Sequence, residues 1–188
     1  VSNSRWGQNV LTNQYDPNLL KGWGVRPSDW DFGVSVQQQI LRRMSVEVAY
    51  HRRSFAGFTV QDNTLVSKSE YDAFSVTAPV DSVLPGGGGY VVSGLYDVTP
   101  SKFGQILNNV TDSKTIGDAS QVFNGVDVTV NLRQGGLTLQ SGTSTGQTTS
   151  NFCDVRNNLP ELNLAIGAGL QTSNINFGSP YCDVSSGF

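Results

Sequence analysis

Trp30-Asp31-Phe32-Gly33-Val34-Ser35-Val36-Gln37-Gln38-Gln39-Ile40, then Leu41-Arg42-Arg43, then Met44-Ser45-Val46-Glu47-Val48-Ala49-Tyr50-His51 is written in period two. Trp30, Phe32, Val34, Val36 and Ile40 alternate with polar or small residues, and Met44, Val46, Val48 and Tyr50 resume the code after the break. Alternation of this kind is the mark of a strand with unlike faces. The pairing that keeps both apolar rows together leaves a three-residue loop, with Ile40 opposite Met44 and Val36 opposite Val48. A slip by one residue would set every Val among Gln and Glu side chains, so the register is strongly specified.

Working outward, a second such hairpin occupies about 121–146. Val122, Val126, Val128, Val130 and Leu132 alternate with Phe123, Gly125, Asp127, Thr129 and Asn131. A four-residue connection, Arg133-Gln134-Gly135-Gly136, would set Leu132 against Leu137 and Val130 against Leu139. Past Leu139 the same row becomes Ser141, Thr143 and Thr145, the weakest strand for an apolar environment. Asn124-Gly125 falls inside the Val-rich run and reads as a bulge or bend rather than a hairpin turn.

The chain therefore reads as one β-rich unit over residues 1–188: an irregular entry, a hairpin at about 30–54, a long loop region at about 56–120, the second hairpin, and a polar segment at about 147–188. Pro17 is expected to start one helical turn through Leu20. Phe58–Val60 and Phe74–Thr77 read as short strands, Tyr90–Val92 and Leu95–Val98 as a strand pair about Ser93-Gly94, and Leu162, Leu164 and Ile166 as an alternating run. Pro85 with Gly86–Gly89 reads as a flexible break; no Lys-Ser or Lys-Thr follows it, so it lacks the phosphate-loop pattern.

Composition supports strands and polar loops. Charged residues make up 14 % of the 188 residues, against roughly 25 % in an average soluble domain, and Gly accounts for 21. A net charge of −3 without a basic cluster beyond His51-Arg52-Arg53 argues against nucleic acid as a partner. No run approaches the roughly 18 apolar residues of a membrane helix. A chain that begins at Val1 is expected to be a processed product or an excised piece.

Cys153 and Cys182 are the two cysteines. They are expected to form one disulfide in an oxidising compartment, the alternative being two unpaired thiols. One His and two Cys supply no zinc constellation. The carboxylate on the strand face of His51 is Glu47, about 13 Å away at roughly 3.3 Å per residue, and His51 reads as a lumen- or solvent-facing polar residue. Glu47 and Asp127 could pair only if their strands meet. Asn109-Val110-Thr111 has the form of a glycosylation sequon. No catalytic constellation emerges, so no enzyme activity, cofactor or metal is expected.

Several segments together resemble the barrel portion of TonB-dependent outer-membrane receptors, in particular those with an N-terminal carboxypeptidase-regulatory-like domain. They are Tyr15-Asp16-Pro17 with Gly22-Trp23-Gly24-Val25-Arg26-Pro27, the Trp30–Arg53 hairpin, Phe74–Pro79 with Leu84–Tyr90, Asn124–Val128, and Cys153-Asp154-Val155-Arg156 with Pro180-Tyr181-Cys182. They are spread along the chain from Tyr15 to Cys182. The resemblance implies strands crossing the outer membrane of a Gram-negative bacterium, short periplasmic turns, long exterior loops and ligand uptake, the ligand being a small molecule of unknown identity. Segments Trp30–Ile40 and Met44–Ser54 match the roughly 9–11 residues of a tilted membrane strand.

Four strands fall short of the eight that the smallest closed membrane barrel needs. The chain is then a fragment, a repurposed relative, or a subunit that closes its sheet with copies of itself. The expected apolar strand face is Phe32, Val34, Val36, Ile40, Met44, Val46, Val48, Val126, Val128, Val130 and Leu132, with Trp30, Phe32 and Tyr50 near the open end as an interfacial girdle. Its expected partner is outer-membrane lipid or a further copy. The rival reading is a β-sandwich or open sheet completed by neighbouring copies, a structural subunit of a surface or secreted fibre, on the cell surface or outside the cell.

Overall fold

The computed structural model describes residue 7, residues 13–163 and residues 181–187. The entry at Arg5-Trp6, the continuation of the Leu162 run through Leu164 and Ile166, and Pro180 lie outside the described residues. The fold is mostly strand, antiparallel in all but one pairing, and open rather than closed into a barrel.

In chain order the elements are β1 (Asn13–Tyr15), α1 (Pro17–Leu20), β2 (Ser28–Leu41), β3 (Met44–Ala56), β4 (Thr59–Asn63), β5 (Tyr71–Thr77), β6 (Val91–Val98), β7 (Asn108–Asp112), β8 (Ser120–Gln134), β9 (Leu137–Asn151), α2 (Cys153–Asn158) and β10 (Asp183–Ser185). Neither described α-helix exceeds two turns. α1 starts as expected, with Pro17 in its first turn and the Asp16 carboxylate accepting from the Asn18 N–H at 2.8 Å.

The main sheet has the order β10-β9-β8-β3-β2. The two hairpins are therefore side by side, β3 against β8, with Val48 opposite Val128 and Val36 opposite Val48. Both turns differ from expectation. In the first, Leu41 rather than Ile40 opposes Met44, the register shifts between Gln39 and Leu41, and Arg43 takes a positive φ of 73°. In the second, Gln134 opposes Leu137, so Leu132 faces Leu139 and Val130 faces Ser141. The reason lies at Gly135 and Gly136, with φ of 57° and 86°. Two successive positive φ values make the tight two-residue turn whose twist matches the strands. The shift is by two residues, so the faces assigned from the sequence are preserved.

β8 and β9 each run 15 residues and extend past the expected limits. No register shift occurs at Gly125, so the expected bulge is absent. Instead, a Cβ at Gly125 would lie 2.8 Å, and one at Gly146 2.6 Å, from the Phe123 ring. The glycines make room for an aromatic ring lying along the sheet.

The segment between β3 and β8 supplies β5-β6 and, joined by β1 from the entry, the three-stranded β1-β7-β4 sheet. β6 is one continuous strand on β5, not a hairpin about Ser93-Gly94. Gly94 has a φ of 74°, and the β5–β6 register shifts between Phe74 and Val76. An irregular step inside a strand, rather than a reversal, absorbs the glycine. The Gly86–Gly89 run is a folded turn, with Gly88 bridged to Val80 and the Gly89 N–H donating to Ala78 O at 3.1 Å.

The buried core gathers at the end of the main sheet opposite its turns. Phe58, Val60, Phe152, Val155, Leu159 and Leu162 form it, flanked by Phe55, Ile116, Ala119 and Cys182. Cys153 and Cys182 are joined in a disulfide. The bond holds β10 beside the end of β9, where the Phe152 N–H donates to Cys182 O at 2.9 Å. The molecule thus consists of a small packed head and a four-strand ladder that leaves it.

Candidate functional site

The ladder presents two unlike faces. Register puts Phe32, Val34 and Val36 of β2 on one face with Met44, Val46 and Val48 of β3, Val126, Val128, Val130 and Leu132 of β8 and Leu139 of β9; Gln38 opposite Val46, and Ser141, Thr143 and Thr145 of β9, are polar residues on that face. Ten of the eleven residues expected on the apolar face are brought together. Ile40 falls at the β2 irregularity and has no opposite number. No part of the described chain packs over this face: Val36 is 67 % exposed, and Val34, Phe32, Val48 and Leu139 are exposed as well. The middle strands are half-buried only by their neighbours in the sheet.

The opposite face is polar. Ser35, Ala49, Asp127 and Ser144 form one cross-strand row, and Gln37, Glu47, Thr129 and Gly142 another. His51 Nε2 lies 3.0 Å from Asp127 Oδ2, a diagonal contact between β3 and β8 with both side chains partly exposed. Sequence reasoning paired His51 with its own strand and missed this contact, because it depends on β3 and β8 being neighbours. Glu47 and Asp127 do share this face, one register step apart across the same strand pair.

Toward the head the two faces change character together. On the apolar side Trp30 opposes Ser54, and Phe32 opposes Arg52, which opposes Asn124. The Tyr50 hydroxyl donates to Asn124 Oδ1 at 2.8 Å, and an Arg52 guanidinium N–H donates to the same atom at 3.0 Å. On the polar side Arg53 pairs with Asp29 and lies over the Phe55 ring at 5.1 Å. Trp30 is 80 % exposed, and Trp23 projects fully from the preceding turn.

The head carries two adjoining clefts of about 530 and 400 Å³, both lined by Asn63, Val66, Lys102 and Glu161. Period two along β4 puts Asp62 on the same side as the wholly buried Val60. Its carboxyl there meets that of Glu161, which follows Pro160 after α2. Burial pushes Glu161 up to about 7; acceptance of hydrogen bonds from backbone N–H groups, including Asn63 at 3.2 Å, opposes the shift. Burial raises Asp62 as well, against the opposing effect of its hydrogen bond to Glu161. Tyr71 beside them is pushed up to about 12, first by burial and then by the negative charges of Glu161, Asp62 and Glu70.

Glu70 is held below the usual carboxylate range by the Ser67 backbone N–H and by Lys102, whose Nζ is 2.9 Å away. Lys102 also donates to Leu65 O at 3.0 Å. The arrangement can hold one proton between two carboxyls beside a fixed cation, yet it presents neither a nucleophile nor a base aimed at one. Among the described residues no three His, Cys, Asp or Glu side chains are grouped to hold a metal. Asn109 of the sequon lies in the middle strand of its sheet, and the buried Thr111 hydroxyl donates to Asp16 Oδ2 at 3.1 Å.

No protein-family model, curated protein or solved structure matches the chain.

Proposed function

We propose that the chain is part of an outer-membrane β-barrel of the TonB-dependent receptor kind, serving ligand uptake, with β2, β3, β8 and β9 crossing the membrane and the head outside it. The observation that carries this reading is the pairing of an uncovered apolar face with a hydrophobic core placed elsewhere. In a soluble sandwich the Val row would be the core; here no described residue packs over it. Dimensions agree. Ten steps from Trp30 to Ile40, at about 3.4 Å each and tilted about 40°, rise about 26 Å, close to the roughly 25 Å apolar band of such barrels. Short turns at one end, aromatic side chains at the other, and a polar reverse face suited to a lumen complete the pattern.

One observation favours a second reading. Among the described residues the outer edge of β2 has no strand partner, and β9 is met on its outer side only by β10 and the residues flanking it, from Thr148 to Phe152. Unpaired edges template strand addition, whether the neighbour is more of the same barrel or another copy in a fibre. Fractionation separates the two. A barrel component leaves the membrane only with detergent and remains in small particles. Sedimentation as long polymers without detergent would sink the membrane assignment.

A further inference from the structure

Arg52 is a cation of the ladder whose charge meets no carboxylate partner among the described residues. It is exposed and stands on the apolar side, directly across from Phe32 and one diagonal step from Trp30. Its neighbour Arg53, on the polar side, is neutralised by Asp29 and stacked on Phe55. Arg52 by contrast meets only the neutral amide oxygen of Asn124, which Tyr50 also engages. Among the described residues no carboxylate forms an ion pair with it.

A full positive charge at the rim of an apolar face, beside an exposed Trp and with a planar fork of donors, lacks an anion. Arginine takes phosphate oxygens through paired N–H bonds, and Trp and Tyr rings rest where acyl chains give way to headgroups. A second cleft of about 530 Å³, lined by Trp23, Arg26 and Trp30, opens beside the start of β2. It widens the aromatic rim, and its lining holds Asp29 as well as Arg26.

We infer that Arg52, with Trp30 and the Tyr50–Asn124 pair, seats the phosphate of a lipid headgroup in the leaflet nearest the head. The seat rests on the membrane reading above and adds a lipid of defined chemistry to it: a phosphate with exposed anionic oxygens, as opposed to one shielded by choline.

The test uses the membrane-inserted protein carrying Trp6→Phe and Trp23→Phe, so that fluorescence reports Trp30. Quenching is measured with chain-brominated phosphatidic acid and chain-brominated phosphatidylcholine at equal mole fractions. The expected result is stronger quenching by the phosphatidic acid, corresponding to about a fivefold local enrichment, the order expected for one cation near an anionic surface. Arg52→Gln should erase that preference while leaving quenching by brominated phosphatidylcholine intact, and Arg52→Lys should retain part of it. Equal quenching by both lipids in the parent protein would overturn the headgroup seat alone. Loss of the preference on adding millimolar inorganic phosphate would assign the site to free anions instead. Absence of quenching by either lipid would overturn the membrane reading, and the seat with it.

Discussion

Replacing Val36 with Arg separates the readings more sharply than any other single change. Val36 stands one residue past the midpoint of Trp30–Ile40, which puts it near the bilayer centre if the ladder crosses a membrane. It is 67 % exposed in the isolated chain, with Val48 as its cross-strand neighbour. In water, an arginine at so open a site would change stability by about 0.5 kcal/mol or less. Facing lipid at the midplane it would cost about 2–4 kcal/mol, or about 30- to 900-fold in the folding equilibrium. Gln37→Arg is the matched control. Its side chain projects to the polar face opposite Glu47, where the new charge gains a surface pair worth about 0–1 kcal/mol. Guanidinium unfolding of the vesicle-inserted protein measures both. If Val36→Arg costs no more than Gln37→Arg in lipid, the assignment of faces to environments is wrong.

Glu161 titrates near 7 in the fold and near 4.5 when free, so its contribution to stability is complete below about 4.5 and is lost as pH rises through about 7; Glu161→Gln should flatten that slope in pH-dependent melting of the head. Reducing Cys153–Cys182 should destabilise the head by roughly 3–4 kcal/mol on the chain-entropy account of a loop this size, and thiol labelling of the unreduced, denatured protein should find none free. Gly146→Ala should destabilise the ladder by about 1–3 kcal/mol, because the new Cβ would lie 2.6 Å from the Phe123 ring. Phe123→Ala in the same chain should recover most of that loss, as read from the same unfolding midpoints.

Much of the ladder was legible in the sequence because a two-faced strand writes its faces at every second residue. That code placed Val36 opposite Val48 and put Val126–Leu132 on one face of the second hairpin, and it survived a two-residue error at the Gly135-Gly136 turn, since even shifts leave faces unchanged; that β3 and β8 lie side by side was not written in it. Turn geometry was less legible: Arg43 accepts a positive φ without being glycine, and Gly94 kinks a strand where a reversal was expected. The head was hardly legible at all. Asp62 and Glu161 are distant in the chain and meet only once β4 and the segment after α2 share a core. One local signal existed, an acid two positions after the buried Val60 on the same side of a strand. The His51–Asp127 contact was hidden for a similar reason, because nothing in either strand announces its neighbour.

The central claim is that one face of the ladder meets lipid and the other meets water. Spin labels placed singly at positions 32–37 and 45–50 of the membrane-inserted protein test it most directly, by collision rates with oxygen, which concentrates in lipid, and with a water-soluble nickel chelate. The account predicts oxygen-dominated collisions at 32, 34, 36, 46 and 48 and nickel-dominated collisions at 33, 35, 37, 45 and 47, alternating along both strands. Uniform access of the nickel chelate to both sets would contradict it.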